Sequence, residues 1–241
     1  MIEWFLTPLS GAATHQIADA VAWHGRLMVF AWGVCAPAGI LAARYWKIAP
    51  KQQFPATLDS KAWWHSHRFF QSACAVLTLG AIALIYKTAP LAVISPLRLS
   101  QKAHQILGYG IGGAVVLQIV HALFRGTKGG PTDITMRGDH YDMTPHRRRF
   151  ERVHKSLGWL SLAAAWITVA LGMVLADAPR WMPASLVLWW GVLAFLAIRW
   201  QRAGRCVDTY QAIWGLDTMH PGNAPNAPPP IGIGVKKNRI S

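Results

Sequence analysis

Charge is scarce in this sequence, and acidic residues are the scarcest part of it. Only 14% of the 241 residues are charged, and just 10 of them are Asp or Glu. A soluble domain usually carries about 25% charged residues, so the composition argues against an ordinary soluble domain. The three cysteines form no Cys-x-x-Cys pair, and there is no His-Glu-x-x-His motif. These absences exclude a c-type haem attached through its usual motif and argue against a zinc site.

Long apolar stretches are what the sequence has instead. Hydrophobic residues make up 53% of the chain, and the mean hydropathy is +0.24. A run of about 17 to 25 mostly apolar residues is long enough to cross a bilayer as a helix. Five such stretches are present, at 20–43, 66–87, 103–124, 156–176 and 183–200. The sequence therefore predicts an all-α integral membrane bundle with five transmembrane helices, a multi-pass protein in a lipid bilayer.

The basic residues are distributed unevenly over the connections between these stretches. With five spans, 19 of the 24 Lys and Arg fall on one side of the membrane. Positively charged loops stay in the cytoplasm, so we expect the C-terminus to be cytoplasmic and the N-terminus outside. No nucleic-acid recognition motif accompanies the net charge of +14, so the charge reports topology and not a nucleic-acid partner.

The predicted organisation has four parts. Residues 1–19 form an outer N-terminal segment, and residues 20–176 form a four-helix core that includes a long cytoplasmic loop at 125–153. Residues 177–200 contain the fifth helix. The Pro- and Gly-rich residues 201–241 are expected to be a disordered cytoplasmic tail. Pro37 predicts a kink in the first helix.

Four of the apolar stretches each begin with a histidine: His24, His67, His104 and His154. A histidine inside a membrane helix is costly to bury unless it is paired or coordinated. Successive helices run in opposite directions, so His24 and His104 are expected near one face of the membrane, with His67 and His154 near the other. This arrangement predicts two bis-histidine sites, each built between two helices.

Haem b is the cofactor that suits such sites best. Haem iron accepts axial imidazoles from facing helices, and helix bundles build cofactor sites in this way. Gly25 follows His24, while Gly108 and Gly158 lie four residues after a histidine, on the same helix face. We expect these glycines to leave room for the porphyrin. With both axial positions filled, the chemistry would be electron transfer and not oxygenation.

The residues alone leave several assignments open. His65 competes with His67, and His121 competes for the site on the basic side. Arg26 is a candidate partner for a haem propionate, but a charge at a helix end that reaches toward the interface explains it equally well. Single histidines at a membrane interface are more often polar anchors than ligands.

The same residues resemble the core domain of the cytochrome b561 family over about 20–176. The segments that carry the resemblance are His24-Gly25-x-Leu27-Met28, Trp32-Gly33, Ala43-Arg44-Tyr45, His67 with Gln71, His104 with Leu107-Gly108, and His154 with Gly158. The resemblance favours His67 over His65. It implies two non-covalent b haems, with the first core helix paired with the third and the second paired with the fourth. It also implies frequent homodimers.

The resemblance further implies the direction and partners of electron flow. A cytoplasmic reductant such as ascorbate would donate, and a ferric chelate or a separate redox protein outside would accept, as in a transmembrane ferric reductase. The compact form favours a prokaryotic inner membrane. Five basic residues are candidates for the donor site: Lys61, Arg68, Arg147, Arg148 and Arg152. Two alternatives remain, a cytochrome b subunit of a quinol-linked respiratory complex and a non-redox membrane scaffold or sensor.

Overall fold

The structure is a computed structural model that describes residues 2–13, 16–88, 98–127 and 138–237. These residues form helices and connections without a strand. The α-helices are α1 (Ile2–Leu6), α2 (Asp19–Val29), α3 (Ala36–Tyr45), α4 (Ala62–Thr88), α5 (Arg98–Leu123), α6 (Asp139–Asp142), α7 (Pro145–Leu175), α8 (Trp181–Arg202) and α9 (Gln211–Trp214). A π-helical stretch, Phe30–Cys35, joins α2 to α3, and Pro221–Asn223 form a 3-10 turn.

Five helices are long and apolar enough to cross a membrane, as the sequence predicts. They are Asp19–Tyr45, Ala62–Lys87, Leu99–Leu123, Pro145–Leu175 and Trp181–Arg202. Large apolar side chains on them lie open; Val76, Ile106 and Leu188 are 71%, 72% and 71% exposed. Exposed apolar surface of this extent is expected only where lipid or a partner covers it. By length and composition, this is a multi-pass membrane protein.

The fourth span begins well before the predicted start. Pro145 occupies the first position of α7, where its missing N–H removes no helical hydrogen bond. Thr144 caps the helix, because its Oγ1 accepts from the backbone N of Arg147 at 3.3 Å. The Thr-Pro pair is therefore a helix start inside the predicted 125–153 loop. Residues 128–137 of that loop lie outside the described residues.

The first span changes helical type just before its proline. Pro37 has no backbone N–H to donate to the turn that precedes it. A backbone N–H at position 37 would donate to the backbone oxygen of Trp32 in a π-helix or to that of Gly33 in an α-helix. Both oxygens accept from tryptophan indole groups instead. Trp166 Nε1 donates to the Trp32 oxygen at 3.2 Å, and Trp189 Nε1 donates to the Gly33 oxygen at 2.7 Å. Two tryptophans thus replace the donor that proline removes.

The chain divides into two compact units, each built from parts of several helices. The first unit comprises Met1–Pro37, Phe70–Val116 and Trp159–Phe195. Among its described residues, the buried core is apolar apart from three hydroxyl side chains, Thr78, Ser161 and Thr168. The second unit comprises Ala38–Phe69, Leu117–Gly158 and Leu196–Ser241. Its interior also buries charged groups, among them Lys47, Glu151 and Asp208.

The described part of the C-terminal tail differs from the expectation of disorder. Helix α8 ends at Arg202. Two residues later Gly204 has a φ of +71°, which suits glycine, and Arg205 N closes the helix end by donating to the Trp200 oxygen. The chain continues within the second unit, where Cys206–Trp214 is buried. A bridge between Val207 and Lys236 closes the loop. The sequence does not predict this packing, because most of the segment lacks the hydrophobic periodicity of a helix or a strand.

Basic side chains hold the later part of the tail. They donate hydrogen bonds to backbone oxygens of the tail. The tail needs these donors because a proline-rich segment does not form the regular helix or sheet that would otherwise bond its carbonyl groups. The contacts are Arg148 to Pro229, Lys155 to Ile231, Arg44 to Ile233, and Lys237 to Gly222 and Pro228. The side-chain amide of Gln201 adds a contact to Gly234. The tail is therefore part of the second unit.

Candidate functional site

The first unit brings together the rings of His24 of α2 and His104 of α5. Their ring centres are 6.2 Å apart, and the ring planes are inclined at 68°. Each ring is also held from behind by a backbone oxygen of another helix. His24 Nδ1 lies 3.0 Å from the Ala81 oxygen, and His104 Nδ1 lies 3.0 Å from the Thr168 oxygen.

Gly172 allows His104 to approach helix α7. A Cβ at position 172 would lie 3.0 Å from Cε1 of the His104 ring, which is closer than side chains normally pack. Any larger residue would push the ring away from the Thr168 oxygen. Gly172 therefore sets the position of the ring, and it was not among the glycines predicted from the sequence. Its signal in the sequence is that it lies four residues after Thr168, on the same face of α7.

The second unit brings together His67 of α4 and His154 of α7. Their ring centres are 6.1 Å apart, with the planes inclined at 74°. His67 Nδ1 lies 3.0 Å from the Gly39 oxygen of α3. The buried Nδ1 of His154 has no hydrogen-bond partner among the described residues. The structure thus forms the two histidine pairs that the sequence predicts, one in each unit.

The hydrogen bonds fix which ring nitrogen is available. A carbonyl oxygen can only accept, so the Nδ1 atoms of His24, His67 and His104 must carry the proton. In a neutral imidazole the other nitrogen, Nε2, then keeps a free lone pair. Histidines that bind metals are oriented in this way, with the second ring nitrogen donating to a carbonyl or carboxylate. Three of the four histidines are therefore in the form that a metal ligand requires.

The ring separation matches a metal ion between two imidazoles. Typical metal–imidazole bonds are about 2.0–2.1 Å, and a ring nitrogen lies about 1.1 Å from its ring centre, so two rings on opposite sides of a metal would be about 6.2–6.4 Å apart. The observed values are 6.2 Å and 6.1 Å. The donor set in each pair is two nitrogens, as for an axially ligated haem. The described residues contain no group of three or more His, Cys, Asp or Glu side chains that could hold a metal ion by themselves.

The competing histidines lie elsewhere. His65 is exposed, and no contact joins its ring to either pair. His121 stacks on Phe150 with ring centres 4.7 Å apart, and Phe150 in turn stacks on His154 at 5.4 Å. Phe150 therefore stands between His121 and His154. Gln118 was missed as a site residue; its Nε2 donates to the His154 oxygen at 3.0 Å.

The three predicted glycines have different surroundings. A Cβ at Gly25 or Gly108 would meet no atom within 4 Å, so both leave open space beside a paired histidine. A Cβ at Gly158 would instead lie 3.5 Å from the side-chain nitrogen of Gln118. Position 158 is therefore at ordinary contact distance from Gln118 of a neighbouring helix, and the role of Gly158 beside a porphyrin stays a prediction. Whether Gly25 and Gly108 line a porphyrin stays a prediction.

The predicted basic residues are used in several ways. Arg26 is exposed, and its guanidinium lies 5.1 Å from the Trp23 ring centre, as for a charge at the interface. Arg148 is bound to the tail, while Lys61 and Arg152 are exposed. The guanidinium of Arg68 lies 5.8 Å from the Trp64 ring centre, and Arg147 donates to the Arg125 backbone oxygen at 3.0 Å.

Buried charges of the second unit connect the tail to the loop after α3. Lys47 is 4% exposed and donates to the Val207 oxygen at 2.8 Å. Burial lowers the pKa of Lys47 to about 8, with a further contribution from the positive charge of Lys155. Burial also raises the pKa of Asp208, and it raises the pKa of Tyr210 beside the Glu151 carboxylate. Burial therefore disfavours the charged forms of Lys47 and Asp208, and the attraction between their opposite charges offsets part of that cost.

Comparisons with protein-family models, with curated proteins and with solved structures find no match for this chain.

Proposed function

We propose that this protein transfers electrons across a membrane through two non-covalent b haems, one held by His24 and His104 and the other by His67 and His154. The spacing and orientation of the rings within each pair support this proposal most directly. A b haem bound at each pair would supply reversible one-electron chemistry. Both histidines of each pair would be used to hold the haem, which favours electron transfer over oxygen chemistry.

The chain contributes orientation and a water-poor environment. Backbone oxygens hold three of the four rings by Nδ1, so little reorganisation is needed to present Nε2. Phe150 lies flat against His154, and Gln118 bonds to the His154 backbone. Rigid ligands keep the geometry of a redox site constant between oxidation states, which is what rapid electron exchange requires.

The charge distribution supports an anionic donor at the basic side. Lys61 and Arg152 are exposed in the second unit, which contains the His67–His154 pair. A positive surface raises the local concentration of an anion and speeds its arrival. We therefore assign a small anionic reductant of the ascorbate class as donor, with a ferric chelate or a separate redox protein as acceptor. A quinol donor is the alternative.

Electron transfer across sealed vesicles tests the proposal. Liposomes containing the haem-loaded protein would enclose ascorbate, with ferricyanide, which does not cross membranes, outside. We expect the ferricyanide to be reduced by the wild type, and the reaction to be almost lost in His24→Leu and in His67→Leu. His65→Leu, which changes an exposed histidine outside both pairs, is the matched control and should behave as wild type.

Two outcomes would contradict the proposal. Equal rates with and without haem-loaded protein would exclude transmembrane electron transfer. Reduction that depends on an added quinol and not on ascorbate would replace the proposed donor with the quinol-linked alternative.

A further inference from the structure

Two arginines of the second unit share one tryptophan ring. The guanidinium carbon of Arg125 lies 4.3 Å from the centre of the Trp64 ring, and that of Arg68 lies 5.8 Å from it. A third arginine approaches from α7, where Arg147 donates to the Arg125 backbone oxygen at 3.0 Å. Contacts of guanidinium with Trp orient the side chains and leave their N–H edges free to bind.

The positive charges of Arg68 and Arg125 are not neutralised within the described part of the chain. No carboxylate there lies within salt-bridge distance of Arg68 or Arg125. Burial lowers the pKa of Arg125, and the charges of Arg147 and Arg68 lower it further. Like charges held this close repel one another, so an anion bound between them would be favoured.

The cluster lies where two membrane spans end. Arg68 is in the first turns of the span Ala62–Lys87, and Arg125 follows the span Leu99–Leu123 by two residues. Each has exposed apolar neighbours in sequence: Phe69 is 68% exposed, Leu123 is 77% exposed and Phe124 is 68% exposed. A soluble anion would gain nothing from these side chains. A lipid combines a phosphate with acyl chains that would cover them.

We propose that Arg68 and Arg125, oriented by Trp64, form a binding site for the phosphate of an anionic phospholipid, whose acyl chains lie against Phe69, Leu123 and Phe124. Guanidinium groups bind phosphate in a bidentate manner. Basic clusters at the cytoplasmic ends of membrane helices bind anionic headgroups. The site does not depend on the proposed haems, and it removes Arg68 from the candidate donor residues.

Lipid binding to the full-length protein tests this site. The protein, in a neutral maltoside detergent, would be titrated with phosphatidylglycerol or with phosphatidylcholine, and bound lipid would be counted by native mass spectrometry. We expect preferential binding of phosphatidylglycerol, weakened about tenfold in R68Q/R125Q, a loss typical of charge-assisted hydrogen bonds. The variant R199Q/R202Q removes the same charge from exposed positions at the end of α8 and should bind within about twofold of wild type.

Four results would overturn the proposal, three of them with the wild type and R68Q/R125Q. The first is unchanged phosphatidylglycerol binding in R68Q/R125Q, and the second is equal binding of phosphatidylcholine. The third is an arginine-dependent site that glycerol 3-phosphate alone fills, which would assign the site to a soluble phosphate. If R68Q/R125Q loses its helical fold, R68K/R125K replaces it, keeping charge but not the guanidinium fork. Wild-type affinity in that variant would also overturn the assignment.

Discussion

The imidazole of His67 lies 6.1 Å from that of His154, and its Nδ1 lies 3.0 Å from the backbone oxygen of Gly39. The ring is thus held on one side by a carbonyl and faces a second imidazole on the other. The same arrangement recurs for His24 and His104 in the first unit. Two independent occurrences of one geometry are the reason for assigning a shared role to the four histidines.

Enlarging Gly172 should disturb one pair alone. Gly172→Val would place side-chain atoms against the His104 ring, where even a Cβ would approach to 3.0 Å. Overpacking of this kind costs about 1–3 kcal/mol, and the ring would lose its contact with Thr168. The variant His67→Leu is expected to keep only the haem held by His24 and His104 in the first unit. In that variant, we expect the added substitution Gly172→Val to remove most of the remaining haem.

Gly191→Val is the control for this experiment. A Cβ at Gly191 would meet nothing within 4 Å, and the residue lies in α8, a transmembrane helix of the same unit. Haem content should therefore stay close to that of His67→Leu alone. Equal loss in both glycine variants would show that the effect is a general weakening of helices and not a displaced His104.

The histidine pairs could be predicted from the sequence because helix direction and depth follow from hydrophobic runs. Position along a helix places His24 and His104 at one level, with His67 and His154 at another. The supporting contacts could not be predicted. The oxygens of Gly39, Ala81 and Thr168 are backbone atoms without a residue-type signal, and they become partners only when helices pack at a particular rotation.

The role of Trp189 can be tested by a double-mutant cycle with Pro37. Trp189→Phe removes the donor to the Gly33 oxygen, and an unsatisfied buried carbonyl costs about 1–3 kcal/mol. Pro37→Ala restores a backbone N–H that can bond to the preceding turn. We therefore expect Trp189→Phe to lower the free energy of unfolding in wild type and to have a smaller effect in Pro37→Ala. Denaturant titration in detergent measures both, and additive effects would refute the link.

Lys47 should make stability depend on pH. Its pKa falls from 10.5 to about 8 on folding, so between these values the unfolded chain carries a proton that the folded chain has released. Stability therefore rises with pH across this window, by up to about 3 kcal/mol. We expect the wild type to gain free energy of unfolding from pH 8 to 10.5 relative to Lys47→Met. Lys61→Met, at an exposed position, should show the same pH dependence of stability as the wild type. If the stability of Lys47→Met rises with pH as steeply as that of the wild type, Lys47 is not the group responsible.

The docked tail should resist proteolysis. A Cβ at Gly222 would overlap the Trp214 ring, which stacks on His220 with ring centres 4.3 Å apart. Gly222→Val should therefore release the tail, and trypsin should cleave after Arg205 faster than in wild type. Met219→Val, at a position 85% exposed, should leave the cleavage rate unchanged. Rapid cleavage of the wild type would contradict the packed tail and restore the expectation of disorder.

The tail shows the limit of composition as a guide. Its prolines and glycines indicated disorder, yet Cys206, Val207 and Tyr210 are each less than 5% exposed. Proline-rich chain can be ordered when other groups satisfy its backbone oxygens, and here basic side chains such as Arg148 and Lys155 do so. The sequence makes Arg148 a candidate for the donor site, because charge in a sequence does not reveal its partner.

Haem content tests the central claim most directly. Haem and protein would be quantified together in the purified wild type, with a reduced-minus-oxidised visible spectrum, and again in His24→Leu/His104→Leu and His67→Leu/His154→Leu. The account predicts two six-coordinate low-spin b haems per chain in wild type and one in each double variant. A folded wild-type protein that contains no haem despite ample supply, or a double variant that keeps both, would contradict it.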